Sequence, residues 1–297
     1  MNVFVTGASG FVGSAIVSEL LHAGHRVIGL ARSEQSAKMV RQAGADVLMG
    51  DLEDPDILRQ GATQADGVIH TAFSQDLTAF SQSARADKVA IEVMGEALLN
   101  TNKPLITTSG TLGLPTVDGW ITEESVSPET SPRFSESATL ALAGKGVYAS
   151  VVRLSPNVHG SFGKGFRAGF ALTQLEVAKR TGMAAYIGDG SNRLPAVHRL
   201  DAAKLFVLAL EKRARGIRYH AVDNQPLLRA EELAQLISEK ADVPVKSLDH
   251  AEAQQHFGPL YWFLSVDNPA TSRKTQNQLG WTPTHIGLAG DFRQRSF

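Results

Sequence analysis

The sequence predicts an α/β protein, a doubly wound parallel sheet followed by a smaller C-terminal α/β lobe. Three observations predict it. Short apolar runs of β-forming residues alternate with helical patterns through the first half of the chain. The first of these runs stops at a glycine cluster, Gly7, Gly10 and Gly13, and a helical pattern begins inside that cluster. Beyond about residue 160 the alternation continues but becomes less regular. The order of strand, glycine turn and helix is that of a Rossmann domain, so residues 1–160 read as a dinucleotide-binding lobe. Residues 161–297 read mostly as a substrate lobe, with the helix around residues 200–213 returning to the first lobe.

Taken in order, strand one is Val3 to Thr6, and its helix runs from about Phe11 to Ala23, closed by Gly24. Strand two is Arg26 to Ala31, and Ser33 is the N-cap of a helix to Ala43 that Gly44 ends. Strand three is Asp46 to Met49, followed by a short helix from Asp56 to Gly61. Strand four is Gly67 to His70, and a long helical region follows from about Asp76 to Thr101. Strand five is Pro104 to Thr108, a helix spans about Ser135 to Ala143, and strand six is Val147 to Leu154. The second half reads as a helix from Phe166 to Arg180, a strand from Ala184 to Ile187 and a helix from His198 to about Arg213. A strand from Tyr219 to Val222, an amphipathic helix from Arg229 to Lys240 and a strand from Val245 to Leu248 complete it.

Composition narrows the function. The chain has 297 residues, 43% hydrophobic and 20% charged, enough to bury a sizeable core. A formal net charge of −1 gives no whole-chain field that points to nucleic acid. The absence of cysteine excludes disulfides, thiolate metal sites and thiol nucleophiles. No His, Asp and Glu set has convincing metal spacing, and no apolar run reaches the length of a membrane span. These features imply a soluble, cytoplasmic protein acting on a small molecule.

The candidate cofactor site follows from the glycines. Gly7 permits the tight turn, Gly10 lets backbone approach a pyrophosphate, and Gly13 allows helix to pack on strand. Ser9, Phe11 and Val12 complete the turn, whose free amides and positive helix end face the phosphates. At the end of strand two, where an NAD site carries an acidic residue, stands Ala31-Arg32-Ser33. Arg32 can pair with a 2′-phosphate and Ser33 can add a hydrogen bond, so the expected cofactor is NADP (NADPH); the competing reading of Arg32 is a solvated surface charge. Asp51 and Leu52 fall where an adenine would lie, although Asp51 also suits a turn. His70, Thr71 and Ala72 end strand four beneath the expected pyrophosphate and nicotinamide ribose. His70 itself fits packing or capping better than catalysis. Pro156, Asn157 and Val158 leave strand six near the nicotinamide amide. In the second lobe, Ser161 to Gly165 is a hinge or lid candidate, and His159 is a candidate proton donor that fits loop packing better. Arg193 is either an anion clamp or a surface ion pair, and Asp201 is a structural acid at a helix start. The aromatic run Tyr261-Trp-Phe263 is core, or else the wall of a hydrophobic pocket.

Thr6-Gly-Ala-Ser-Gly-Phe-Val-Gly13 resembles the nucleotide fingerprint of the extended and atypical short-chain dehydrogenase/reductases, which include the NAD(P)-dependent epimerases and dehydratases. The resemblance extends through Gly50-Asp-Leu52, Thr107-Thr-Ser-Gly110, Arg153-Leu-Ser-Pro-Asn-Val-His-Gly160, Pro195-Ala-Val-His-Arg-Leu-Asp-Ala202 and Leu279-Gly-Trp-Thr-Pro283. It implies an acid/base tyrosine with a lysine four residues later, a serine that orients the substrate oxygen, and an asparagine in a proton relay. Ser109 matches the serine, and Asp87 stands at the asparagine position. The tyrosine and lysine are missing: the stretch Glu123 to Ser137 contains neither, and Arg133 falls close to the lysine position. The expected catalytic residues are therefore Ser109 and Asp87 within a degenerate tetrad. The resemblance also implies a homodimer through the long helix before Thr101 and the Ser135 helix. Two functions remain open at this level: an NADP-dependent oxidoreductase or epimerase/dehydratase-like enzyme, and a non-catalytic NADP-binding sensor.

Overall fold

The computed structural model describes residues 1–74, 79–162 and 165–294. The expected start of the long helix at Asp76 and the Gly163–Lys164 part of the hinge candidate lie outside the described residues.

Seven strands form one sheet: β1 (Asn2–Thr6), β2 (Arg26–Ala31), β3 (Asp46–Met49), β4 (Gly67–His70), β5 (Pro104–Gly110), β6 (Tyr148–Leu154) and, from the second half of the chain, Arg218–Ala221. Every pairing in it is parallel. In spatial order the first six run β6-β5-β4-β1-β2-β3, and the late strand adds beyond β6. The order reverses between β1 and β4, the switch point where ligands bind at the carboxyl ends of such strands.

The period-2 alternation of the strands divides the core. Val3 and Val5 face one side, with α1 (Gly13–His22) and the helix Arg199–Lys212 packed over them; Ala15, Ile16, Leu20, Leu205 and Phe206 are buried there. Phe4 faces the other side, under α3 (Pro55–Gln64), α4 (Phe80–Ala97) and α5 (Ser135–Gly144), with Leu58, Ile91, Met94 and Leu142 buried. The helix α2 (Glu34–Gln42) begins at Ser33, whose hydroxyl accepts from the Ser36 amide. Gly61 illustrates the tightness of the second layer, because a Cβ there would fall 2.5 Å from the Phe4 ring.

The rest of the chain builds the smaller lobe. It consists of β7 (Asn157–Phe162), β8 (Gly165–Ala168), α6 (Phe170–Thr181), β9 (Ala184–Ile187), β10 (Arg193–Leu194), β11 (Ala196–His198), α7 (Arg199–Lys212), β12 (Arg218–Ala221), β13 (Leu228–Arg229), α8 (Ala230–Ala241), β14 (Val245–Leu248), α9 (His250–Phe257), α10 (Tyr261–Ser265), α11 (Arg273–Leu279) and α12 (Leu288–Gln294). Of these, α7 and β12 pack with the large sheet. Of the others, α11 packs on α7 and β12, while α6, α8 and α12 enclose one apolar cluster and β9, α9 and α10 a second.

The helix expected from Phe166 is corrected: residues 165–168 form β8, antiparallel to β7, and the helix starts at Phe170. The break is Gly169, which has φ +53° and lies against the Pro156 carbonyl, where a Cβ would collide. Among the described residues no helix is long and apolar enough to cross a membrane, and no group of three His, Cys, Asp or Glu could hold a metal ion.

Candidate functional site

The glycine turn lies between β1 and α1 at the switch point. Gly7 has φ +70°, and a Cβ there would fall 2.8 Å from both the Ala72 nitrogen and the Thr71 hydroxyl. On Gly13 a Cβ would collide with the Gly7 carbonyl, and on Gly10 it would lie 3.0 Å from the same oxygen. The cradle is therefore one that only glycine leaves open, next to a helix N-terminus whose N-cap, Val12, offers no side-chain cap. These residues fit a dinucleotide pyrophosphate. Ser9 and Phe11 are half-buried on the rim and Gly10 is exposed. The end of β4 is tied to this turn: Thr71 Oγ1 donates to the Thr6 carbonyl at 2.9 Å, and the Ala72 amide donates to Thr6 Oγ1 at 3.4 Å.

At the end of β2, Arg32 is exposed beside the start of α2. Ser33 spends its hydroxyl on the capping box with Ser36, at 3.1–3.2 Å. Asp51 Oδ1 accepts from the Glu53 amide at 3.1 Å, the turn geometry, while Leu52 packs against the α3 and α4 layer. Asn157 Oδ1 accepts from the Ala171 amide at 3.1 Å and so holds the start of α6; Val158 is buried beside it. Pro156 stands opposite Gly169.

The ends of β4 and β5 converge on a buried polar chain. His70 Nδ1 is 2.7 Å from Thr6 Oγ1, and its Nε2 is 3.0 Å from Asp87 Oδ1. Asp87, 1% exposed on α4, accepts on its other oxygen from Ser135 Oγ at 2.6 Å. Arg133 Nε donates to Ser135 Oγ at 3.0 Å, and its Nη2 donates to the Thr108 carbonyl at 3.1 Å. The guanidinium lies 4.3 Å from the Phe73 ring centroid. Burial pushes the Asp87 carboxyl up, but the His70 hydrogen bond and charge outweigh it. With Arg133 and Ser135 they hold it below the usual aspartate range. Burial lowers the Arg133 guanidinium against the raising charge of Asp87, yet an arginine stays protonated at neutral pH. Ser109 follows Thr108 on β5 and is 8% exposed; among the described residues no side chain bonds its hydroxyl.

Two consequences follow for the expected catalytic pair. Ser109 stands next to the residue that Arg133 grips. Asp87 is sealed, with both oxygens occupied, so it reaches a substrate only through Ser135, Arg133 or His70. The sequence singled out Asp87 and Arg133 by position but missed that His70 and Ser135 join them. A histidine ending the strand beside the glycine turn was the available signal.

Elsewhere the structure chooses between open readings. Arg193 commits its guanidinium to Asp267 at 2.7 and 3.2 Å, a surface ion pair rather than an anion clamp. Asp201 is a first-turn acid of α7 that receives the Thr284 and His285 amides at 3.1 and 3.0 Å; the N-cap is His198. His159 is fully buried, with Nδ1 2.9 Å from Asp291 Oδ2. Burial pushes its imidazole down, and the same cause, with the charges of His159 and His285, takes His198 to about 4. Phe263 packs on Phe170 with centroids 5.0 Å apart, while Trp262 remains 49% exposed and covers Gly113.

Asp223, just past β12, is pushed up to about 7 by burial, helped by the Asp201 charge. Its folded value lies above the unfolded one, so its contribution to stability is complete below about pH 4 and is lost as pH rises through about 7. Asp223→Asn keeps the acceptor for the Gln225 amide and removes the charge. It is expected to stabilise the protein by about 1–3 kcal/mol at pH 8 and by little at pH 4. Thermal melts of both proteins across this range check it; a gain independent of pH would contradict it.

Comparison with known proteins identifies relatives of the chain and of its fold. Residues 3–101 match the model of the NAD dependent epimerase/dehydratase family. The chain is 48% identical over 299 residues to the uncharacterized protein C2A9.02 of Schizosaccharomyces pombe, covering all of both chains. It is 27% identical to the 4-hydroxy-2-methyl-3-oxo-4-farnesyl-3,4-dihydroquinoline-1-oxide ketoreductase of Stigmatella aurantiaca, over 88% of this chain and 81% of that protein. Its fold is similar to that of the UDP-glucose 4-epimerase of Thermotoga maritima, with TM-score 0.73, 20% identity and 99% of each chain covered.

Proposed function

The chain belongs to the NAD-dependent epimerase/dehydratase family, and from that premise we propose that it is an NADP-dependent oxidoreductase acting on a small carbonyl or hydroxyl substrate. The observation that carries the reading is the hold of Arg133 on the Thr108 carbonyl, one residue before Ser109 at the end of β5. When bound, the dinucleotide supplies or accepts the hydride. Gly7, Gly10 and Gly13 with the amides of α1 would hold its pyrophosphate, and Arg32 its 2′-phosphate.

The chain's own residues would do the rest. The Ser109 hydroxyl donates to the substrate oxygen and fixes its position. The Arg133 guanidinium, poised by the Thr108 carbonyl and Ser135, stabilises negative charge as it grows on that oxygen. Arg133 donates hydrogen bonds and not protons, because its charge persists at any working pH. Asp87 is a positioning residue: its carboxylate holds Ser135, and through Ser135 it holds Arg133. The path Thr6–His70–Asp87–Ser135 is a continuous run of hydrogen-bonding groups that fixes the Asp87 carboxylate, and the proton that completes a reduction is taken from solvent water. Hydride transfer depends more on close positioning than on a strong base, which is why a site without the family's tyrosine still supports this reading. A ketoreductase similar over 88% of this chain supports reduction as the direction.

Titration with NADPH and NADH tests the cofactor. A preference for NADPH of at least about tenfold is expected, and Arg32→Ala should erase it. Equal affinities in the unaltered protein would overturn the NADP assignment. A panel of ketones, aldehydes and nucleotide-sugars, followed by NADPH oxidation, tests the chemistry. Turnover that falls about 100-fold or more in Ser109→Ala supports the assignment. Tight NADPH binding without turnover on any member would favour a non-catalytic sensor instead.

A further inference from the structure

The start of α7 sends a cation across the molecule to the dinucleotide turn. Arg199, the first residue of α7, donates from Nη2 to Ser14 Oγ at 2.6 Å, in the first turn of α1. Its Nη1 donates to the Ser161 carbonyl at 2.6 Å, on β7 of the smaller lobe. The guanidinium carbon lies 5.0 Å from the centroid of the Phe11 ring, inside the glycine turn. The backbone makes room for this side chain at Gly160, where φ is +133° and a Cβ would fall 3.1 Å from Arg199 Cγ.

The placement runs against ordinary helix electrostatics. The first turn of α1 already carries the positive end of the helix dipole, and no acidic residue stands in that turn. A guanidinium brought to the same point adds charge of the same sign. Burial lowers its pKa further, a cost that falls on the charged form. An anion held in the cradle at Gly7, Gly10 and Gly13 would meet the α1 amides and, beside Ser14 and Phe11, this guanidinium.

We propose that Arg199 is a clamp from the second lobe on the dinucleotide pyrophosphate, acting with the α1 amides. Because its other nitrogen holds Ser161, the same side chain connects occupancy of the turn to the β7–β8 hairpin. The inference rests on the dinucleotide reading above and adds a residue 185 positions from Ser14 to its phosphate contacts.

Binding titrations by calorimetry test it without reference to turnover, using NADPH, ADP-ribose and 2′-AMP. The last carries the adenine end without the pyrophosphate. Arg199→Met keeps the apolar stem on Phe11 and removes the fork. It should weaken NADPH and ADP-ribose by about 10- to 100-fold and leave 2′-AMP within about twofold. Arg199→Lys should recover part of the loss, because charge returns without the two-armed geometry. Unchanged NADPH affinity in Arg199→Met overturns the clamp while leaving the dinucleotide reading intact. Equal weakening of 2′-AMP overturns it too, since the effect would then be a general distortion. An unaltered protein that binds no dinucleotide overturns both.

Discussion

Glu136→Gln is expected to lower the free energy of unfolding by about 3–5 kcal/mol, the usual cost of stripping one partner from a buried ion pair. Glu136, at the start of α5, grips Arg153 of β6 with both oxygens, at 2.6 and 2.7 Å. The Arg153 side chain is 0% exposed and that of Glu136 is 4%. Arg218 of β12 adds a further bond to Glu136 at 2.7 Å. The remaining donors of Arg153 reach the Ser125 and Thr122 carbonyls and His220, none of which carries a negative charge. Burial, then the Arg153 charge, take His220 down to about 3, so it stays neutral beside the guanidinium. Neutralising Glu136 leaves the Arg153 charge desolvated between strands β6 and β12. Urea unfolding at pH 7 measures the loss. In an Arg153→Met background the same substitution should cost clearly less, because the stranded charge is gone. A loss below about 1 kcal/mol in the single variant would show that the carbonyls alone suffice for Arg153.

Gly13→Ala is expected to remove dinucleotide binding, by at least about 100-fold, and to cost about 1–3 kcal/mol of stability. The added Cβ collides with the Gly7 carbonyl and meets Thr71 Oγ1 at 3.1 Å. Gly7 has little room to retreat, since its carbonyl accepts from the Gly10 amide at 2.8 Å and its Cα faces the end of β4. Helix α1 must therefore tilt away from β1, and the amides at its N-terminus move with it. Gly144→Ala is the control. Gly144 ends α5, and nothing lies within 4 Å of the Cβ it would gain. It should bind NADPH normally and be neutral or slightly stabilised. Calorimetry with NADPH separates the two variants; full affinity in Gly13→Ala would mean that the turn does not hold the pyrophosphate.

The two substitutions probe different depths of legibility. The Gly13 effect follows from a spacing visible along the chain, whereas the Glu136 effect does not. Arg153 appeared in the sequence as part of a motif leaving strand six, with nothing to say that its charge points inward or that a helix-start glutamate meets it. Asp87 was legible as a candidate catalytic carboxylate at the asparagine position; its closure by His70 and Ser135 was not. Ser33 was legible as an N-cap because capping is local, and its hydroxyl is indeed held within three residues.

The sequence by itself determined the first six strands of the large sheet, the glycine turn and the candidate cofactor end at Arg32; that β12 joins the sheet beside β6 was not legible. Each depends on short-range physics: period-2 alternation, the conformations open only to glycine, and the adjacency of a side chain to its own strand end. Only the tertiary structure decided which charges meet. Asp87 pairs with His70 across 17 residues, Ser135 reaches Asp87 across 48, and Arg199 reaches Ser14 across 185. A charged side chain carries no address along the chain. Its partner is set by which strands lie side by side and which helix covers them, and that is a property of the whole packed core.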